Sequence, residues 1–147
     1  MNMDLAFNWE TDRAAHRARA QIVPSGDKAI ELIANLLTDD GGLGTEHSIS
    51  WIRVGIERLQ SVSLGQIEIA DWTKETFGVY CDRARAKLYF LPDEEYWVEI
   101  HPLALMTLLT VWRDFLLAGP TDANGEINST IIPLGDRDQL LLDDNVW

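Results

Sequence analysis

The apolar pattern of this chain changes period at one point, and that change constrains the fold more than any other feature. From Phe77 to Ile100 hydrophobic residues recur at alternate positions: Phe77, Val79 and Cys81, then Ala84, Ala86, Leu88 and Phe90, then Tyr96, Val98 and Ile100. A strand points successive side chains to opposite faces, so each run offers one apolar side to a core. The connections between runs are short and polar, which predicts an antiparallel meander. At Pro102 the spacing becomes helical. The helical segment runs through Leu103 to Leu117, its Leu105, Leu108, Leu109, Trp112 and Leu116 form a broad stripe, and Gly119-Pro120 supplies the stop. A helix with such a stripe is suited to covering one face of a sheet.

Upstream, Ile30, Ile33, Leu36 and Leu37 mark a first helix, with Ser25 or Asp27 placed to cap its free amides and Asp39-Asp40-Gly41-Gly42 ending it. From Ser48 onward Ile52, Val54 and Ile56 alternate with Arg53 and Glu57, which predicts a half-buried strand. Val62 and Leu64 are out of phase with Ile67 and Ile69, so a second strand there needs a bulge at Gly65. At the N-terminus Leu5, Phe7 and Trp9 alternate like a short strand, and the Ala- and Arg-rich segment from Asp12 to Ala20 reads as a polar helix. After a turn at Asp122-Ala123-Asn124-Gly125, Ile131 and Ile132 suggest a last strand, and Asp136 with Gln139 resembles the capping box of a short helix. The expected fold is a single α+β domain over residues 1–147: an antiparallel meander of about four to five strands packed against two main helices.

Charge narrows the choice of partner. The chain has 147 residues, 46% apolar and 24% charged, enough for one buried core, and a formal net charge of -12. Nucleic acid and anionic membrane are disfavoured as direct partners, because the protein would approach both against repulsion. A basic protein is favoured. The lone Cys81 has no intramolecular disulfide partner, and the segment Met1 to Arg13, with Asp4, Glu10 and Asp12, is unlike a signal peptide. The apolar stretch Leu103 to Trp112 is too short to span a bilayer. A cytoplasmic protein is the simplest expectation.

Pairing the last two meander strands so that their apolar residues share a face sets Phe90 opposite Tyr96, Leu88 opposite Val98, Tyr89 opposite Trp97 and Lys87 opposite Glu99. The outer face then places Trp97 and Tyr89 among Asp93, Glu94, Glu95 and Glu99, an exposed aromatic anchor with an acidic rim. The alternative is that Trp97 packs beneath Asn145, Val146 and Trp147. From Pro120 to the end, six acids meet one base, a local net of -5. Asp143, Asp144 and Trp147 therefore extend the candidate surface, unless this acidic stretch serves only as a solvated face.

Other constellations carry less. Arg83, Arg85 and Lys87 line one face of their strand, yet three cations are few for a phosphate track and Glu99 stands ready to offset them. Cys81, Asp82 and His101 supply the groups of a thiol nucleophile, but Cys81 shares its phase with Phe77 and Val79, which makes it a buried hydrophobe. His16, His47 and His101 lack ligand spacing, and Asp122 to Gly125 departs from a calcium loop. Gly41-Gly42-Leu43-Gly44 has no Gly-Lys-Ser/Thr and is expected to precede a strand. No metal or cofactor is expected.

The run Glu95-Tyr96-Trp97-Val98-Glu99-Ile100, followed by Pro102-Leu103-Ala104-Leu105 and Leu109-Thr110-Val111-Trp112-Arg113-Asp114-Phe115-Leu116, resembles the immunity proteins of bacterial polymorphic toxin systems. The likeness covers about a third of the chain. It implies a small acidic cytosolic protein that binds and neutralises a cognate toxin enzyme. Two other expectations stand beside it: a nucleic-acid mimic that occupies the groove of a nuclease or defence protein, and a small enzyme or ligand-binding domain with a pocket between sheet and helix.

Overall fold

The computed structural model describes residues 2–12, 15–73 and 76–146. Among the described residues two antiparallel sheets and four helices make up the α+β fold. The first sheet is built from β1 (Asn2–Asp12), β2 (Ala15–Val23) and β7 (Ser129–Asp136), in the order β2-β1-β7. The second contains β3 (Ala70–Thr73), β4 (Phe77–Cys81), β5 (Ala86–Phe90), β6 (Asp93–Ile100) and β8 (Leu141–Asn145), in the order β3-β4-β5-β6-β8. The runs expected from Phe77 to Ile100 are β4, β5 and β6, and two strands not expected from the sequence, β3 and β8, flank them.

The helices are α1 (Lys28–Thr38), α2 (Thr45–Ser63), α3 (Pro102–Ala118) and the single turn α4 (Arg137–Leu140). The α1 helix buries Ala29, Ile30, Leu32, Ile33, Ala34, Leu36 and Leu37, apolar residues on nearly every side, as a helix does when both its flanks are covered. It packs along β2 of the first sheet and against β5 and β6 of the second. Asp27 caps it, accepting from the amides of Ala29 and Ile30 at 3.1 and 3.3 Å. The α2 helix lies on α3 and β3, and α3 meets the first sheet through Phe7, whose ring centroid is 4.8 Å from that of Trp112 and 5.5 Å from that of Phe115. The buried side chains form one connected cluster that includes both sheets and α1 to α3.

Three local expectations are corrected. Residues 48–56 are helix, not strand: α2 buries Ser48, Ile52, Gly55, Ile56, Leu59 and Val62, a helical stripe, and leaves Val54 exposed. The proposed strand with a bulge at Gly65 is the end of α2 and a loop, in which Gly65 takes a left-handed φ of 75° and Ile67 and Ile69 stay exposed. Of the Ala- and Arg-rich segment expected as a helix, Asp12 ends β1, Arg13 and Ala14 lie outside the described residues, and Ala15 to Ala20 belongs to the strand β2, because Ala18, Ala20 and Ile22 turn inward against Trp9, Phe7 and Leu5 of β1. Pairing across the hairpin outweighs the helix propensity of alanine and arginine. Gly44 consequently precedes a helix, α2. A short helix does follow Asp136, but that side chain makes no cap hydrogen bond.

Candidate functional site

The meander orders its outer face as two cross-strand rows. One runs Asp71, Tyr80, Lys87, Glu99 and Asp143; the next runs Thr73, Gly78, Tyr89, Trp97 and Asn145. Alternation sends the opposite side chains, Trp72, Val79, Leu88, Val98 and Ile100, into the core beneath α1 and α2. The register Lys87–Glu99, Leu88–Val98 and Tyr89–Trp97 is as expected from sequence. An irregularity after Tyr89 then sets Phe90 opposite Asp93 rather than Tyr96, so the fourth expected pair is replaced.

Side chains on this face choose diagonal neighbours. The Lys87 ammonium lies 5.0 Å from the Trp97 ring centroid, a cation–π contact. Glu99 accepts from the guanidinium of Arg85 at 2.8 Å and is only 8% exposed. Trp97 is therefore half-buried rather than exposed, with Lys87 over its ring and β8 alongside, where Asn145 stands opposite and donates to the Glu95 carbonyl. Tyr89 lies across Gly78. Its hydroxyl is held above the usual phenol range by burial, and further by the charges of Glu94 and Asp71, so it stays a hydrogen-bond donor through neutral pH. Tyr80, 39% exposed, and Asp71 belong to the same surface and were not singled out from the sequence.

The nine candidate residues separate into groups. Trp97, Tyr89, Glu99 and Asp143 share the outer face, and Glu94 and Glu95 are exposed at the hairpin end of β6. Asp93 and Asp144 face the other way. Asp93 lines a cleft of about 350 Å³ with Leu32, Asn35, Phe77, Phe90 and Tyr96, while Asp144 accepts from Arg137 at 2.9 Å. Trp147 lies outside the described residues. The acidic C-terminal stretch is thus partly structural: Arg137 also donates to Asp27 at 2.8 Å, tying the N-cap of α1 to β8. Hydrogen bonding to Asp144 raises the Arg137 pKa above its ordinary value.

No family model, curated protein or solved structure matches this chain.

The cation row gives no phosphate track. Arg83 donates to the Ser63 carbonyl at the end of α2, Arg85 holds Glu99, and Lys87 covers Trp97. Burial, aided by the charge of Asp82, pushes the Cys81 thiol up to about 11. It donates to the Asp82 carbonyl at 3.2 Å, so at neutral pH it is a protonated core group and not an activated nucleophile. Among the described residues no group of three or more His, Cys, Asp or Glu is placed to hold a metal ion, and no helix is long and apolar enough to cross a membrane.

Proposed function

We propose that this chain is an acidic cytoplasmic binding protein that neutralises a cognate basic toxin or effector enzyme by covering its active or substrate-binding surface, as an immunity protein does. The observation that carries the reading is the outer face of the five-stranded sheet: Tyr80, Tyr89 and Trp97 side by side, with carboxylates of Asp71, Glu94, Glu95 and Asp143 around them. Flat rings supported by a rigid sheet supply desolvated anchors, and carboxylates at the margin steer a cationic partner and suppress wrong ones. A net charge of -12 acts in the same direction at longer range. Lys87 over Trp97 marks where a partner cation would stack once the lysine swings aside.

The test is capture of the tagged chain's partner from its own host, followed by an activity assay of that partner with and without this chain. A stoichiometric basic enzyme that loses activity supports the proposal. A captured enzyme whose activity is unchanged at saturating concentrations of this chain would rule out neutralisation.

A further inference from the structure

The first sheet ends on β2, and the free edge of that strand faces α1 across a groove. The backbone of Ala20 points into it: its amide donates to Thr38 Oγ1 at 2.9 Å, and the same hydroxyl donates to its carbonyl at 3.3 Å. Outward-facing groups recur every second residue on an antiparallel edge strand, so the amides and carbonyls of Ala18 and Ile22 point the same way. Among the described residues neither has a strand partner there. Thr38 divides the groove into two clefts. The larger, about 590 Å³, lies beside residues 19–23 with Glu31, Ala34 and Asn35 of α1 as its far wall. The smaller, about 270 Å³, lies beside residues 17–19 with Asp39 and Asp40 beyond.

We propose that this groove accepts an extended basic peptide segment of a partner protein, added to β2 as a fourth strand. A strand edge on one wall and a helix on the other is the setting for β-strand addition, in which main-chain hydrogen bonds hold the peptide and alternate side chains select it. Once the Thr38 side chain turns off Ala20, the edge from Ala18 to Val23 would pair with about 20 Å of extended chain. Selection follows from charge. Glu31 on α1 and Asp39 and Asp40 just beyond its end line the far side of the clefts, while Arg19 lines the β2 side of both and Arg17, with Glu10, the β2 side of the smaller one. A fitting strand therefore carries Lys or Arg at the alternate positions that face α1 and uncharged residues between them. A second copy of β2 fits badly, since it would bring its own Arg17 and Arg19 alongside these two. This proposal does not rest on the sheet-face reading, which concerns the other sheet.

The test uses the whole chain and an acetylated, amidated peptide of alternating lysine and threonine. Expected are saturable binding, slowed hydrogen exchange at the Ile22 amide, and a loss of about tenfold when the edge-facing peptide nitrogens are methylated. Thr38→Ala, which uncovers the Ala20 amide and carbonyl, should tighten binding several-fold, and Glu31→Gln should weaken it. Equal binding of the methylated peptide, or of one with glutamate replacing lysine, would overturn the proposal. So would an unchanged Ile22 exchange rate at saturating peptide; these readouts need no variant to fold.

Discussion

Gly78 and Tyr89 are cross-strand neighbours, and the ring of one occupies the side-chain space of the other: a Cβ on Gly78 would lie 2.3 Å from Tyr89 Cζ and 2.5 Å from its hydroxyl oxygen. The atoms in the way belong to the tip of a surface side chain, so Gly78→Ala is accommodated by rotation of the ring into solvent. The expected result is a stability loss of no more than about 1 kcal/mol with a clear surface change. With its burial lost, the Tyr89 phenol should titrate closer to its ordinary value, seen by ultraviolet absorbance against pH.

Gly55 meets a different obstacle. A Cβ there would lie 2.9 Å from Cζ2 and 3.1 Å from Cε2 of the buried Trp72. Overpacking of roughly 1–3 kcal/mol outweighs the ~1 kcal/mol by which alanine favours a helix over glycine. Gly55→Ala should therefore be destabilising by about 1 kcal/mol in urea denaturation, and a raised midpoint would show that Trp72 shifts freely.

If the aromatic face binds the partner, Trp97→Ala should weaken the complex by on the order of 2 kcal/mol while the fold stays intact. Asp143→Asn, at the margin of that face, should act mainly on the association rate, and its effect should fade as salt rises. Isothermal calorimetry and stopped-flow binding separate the two. Full affinity in a folded Trp97→Ala chain removes this residue from the site.

Cys81 ties stability to alkaline pH. Its thiol titrates near 9.0 when unfolded and at about 11 in the fold. Between those values the unfolded chain sheds a proton that the folded one keeps, so stability is full below pH 9 and declines as pH rises towards 11. Cys81→Ala should flatten that part of the curve, measured as denaturation midpoint against pH relative to the parent chain. At pH 8 the native thiol should react with iodoacetamide only as fast as the chain opens.

Arg137 bridges Asp27 and Asp144 with one guanidinium, a geometry that a lysine ammonium cannot reproduce. Its side chain is 38% exposed, so Arg137→Lys should cost only about 1 kcal/mol, with a smaller effect at high salt. Hydrogen exchange should quicken at β8 and in the first turn of α1 together.

The meander and α3 were legible because their apolar periods run long enough to be unambiguous. The α2 error shows the converse: Ile52, Val54 and Ile56 satisfy alternation over five residues, while Ile52, Ile56 and Leu59 satisfy a helix over eight, and only the longer window decides. In β2 the alternation of Ala18, Ala20 and Ile22 against Arg17, Arg19 and Gln21 was present, but composition favoured a helix. With that strand went the groove beside it. At the sheet face the Tyr89–Trp97 register followed from parity and charge, whereas the reach of Lys87 to Trp97 and of Arg85 to Glu99 depends on rotamers that no spacing encodes. The strand β8 has no apolar alternation to announce it.

The position of β7 and β8 along the chain bears on how the protein is made. Through the end of α3 a nascent chain holds β1 and β6 each with an unpaired side, and these are the two edges that β7 and β8 later close. Bare strand edges are templates for association with other chains. Because only the single turn α4 separates β7 from β8, both edges are sheltered within the synthesis of residues 129–145. Before those residues emerge the exposed templates are the long strands β1 and β6; afterwards the edges on those sides are the shorter β7 and β8.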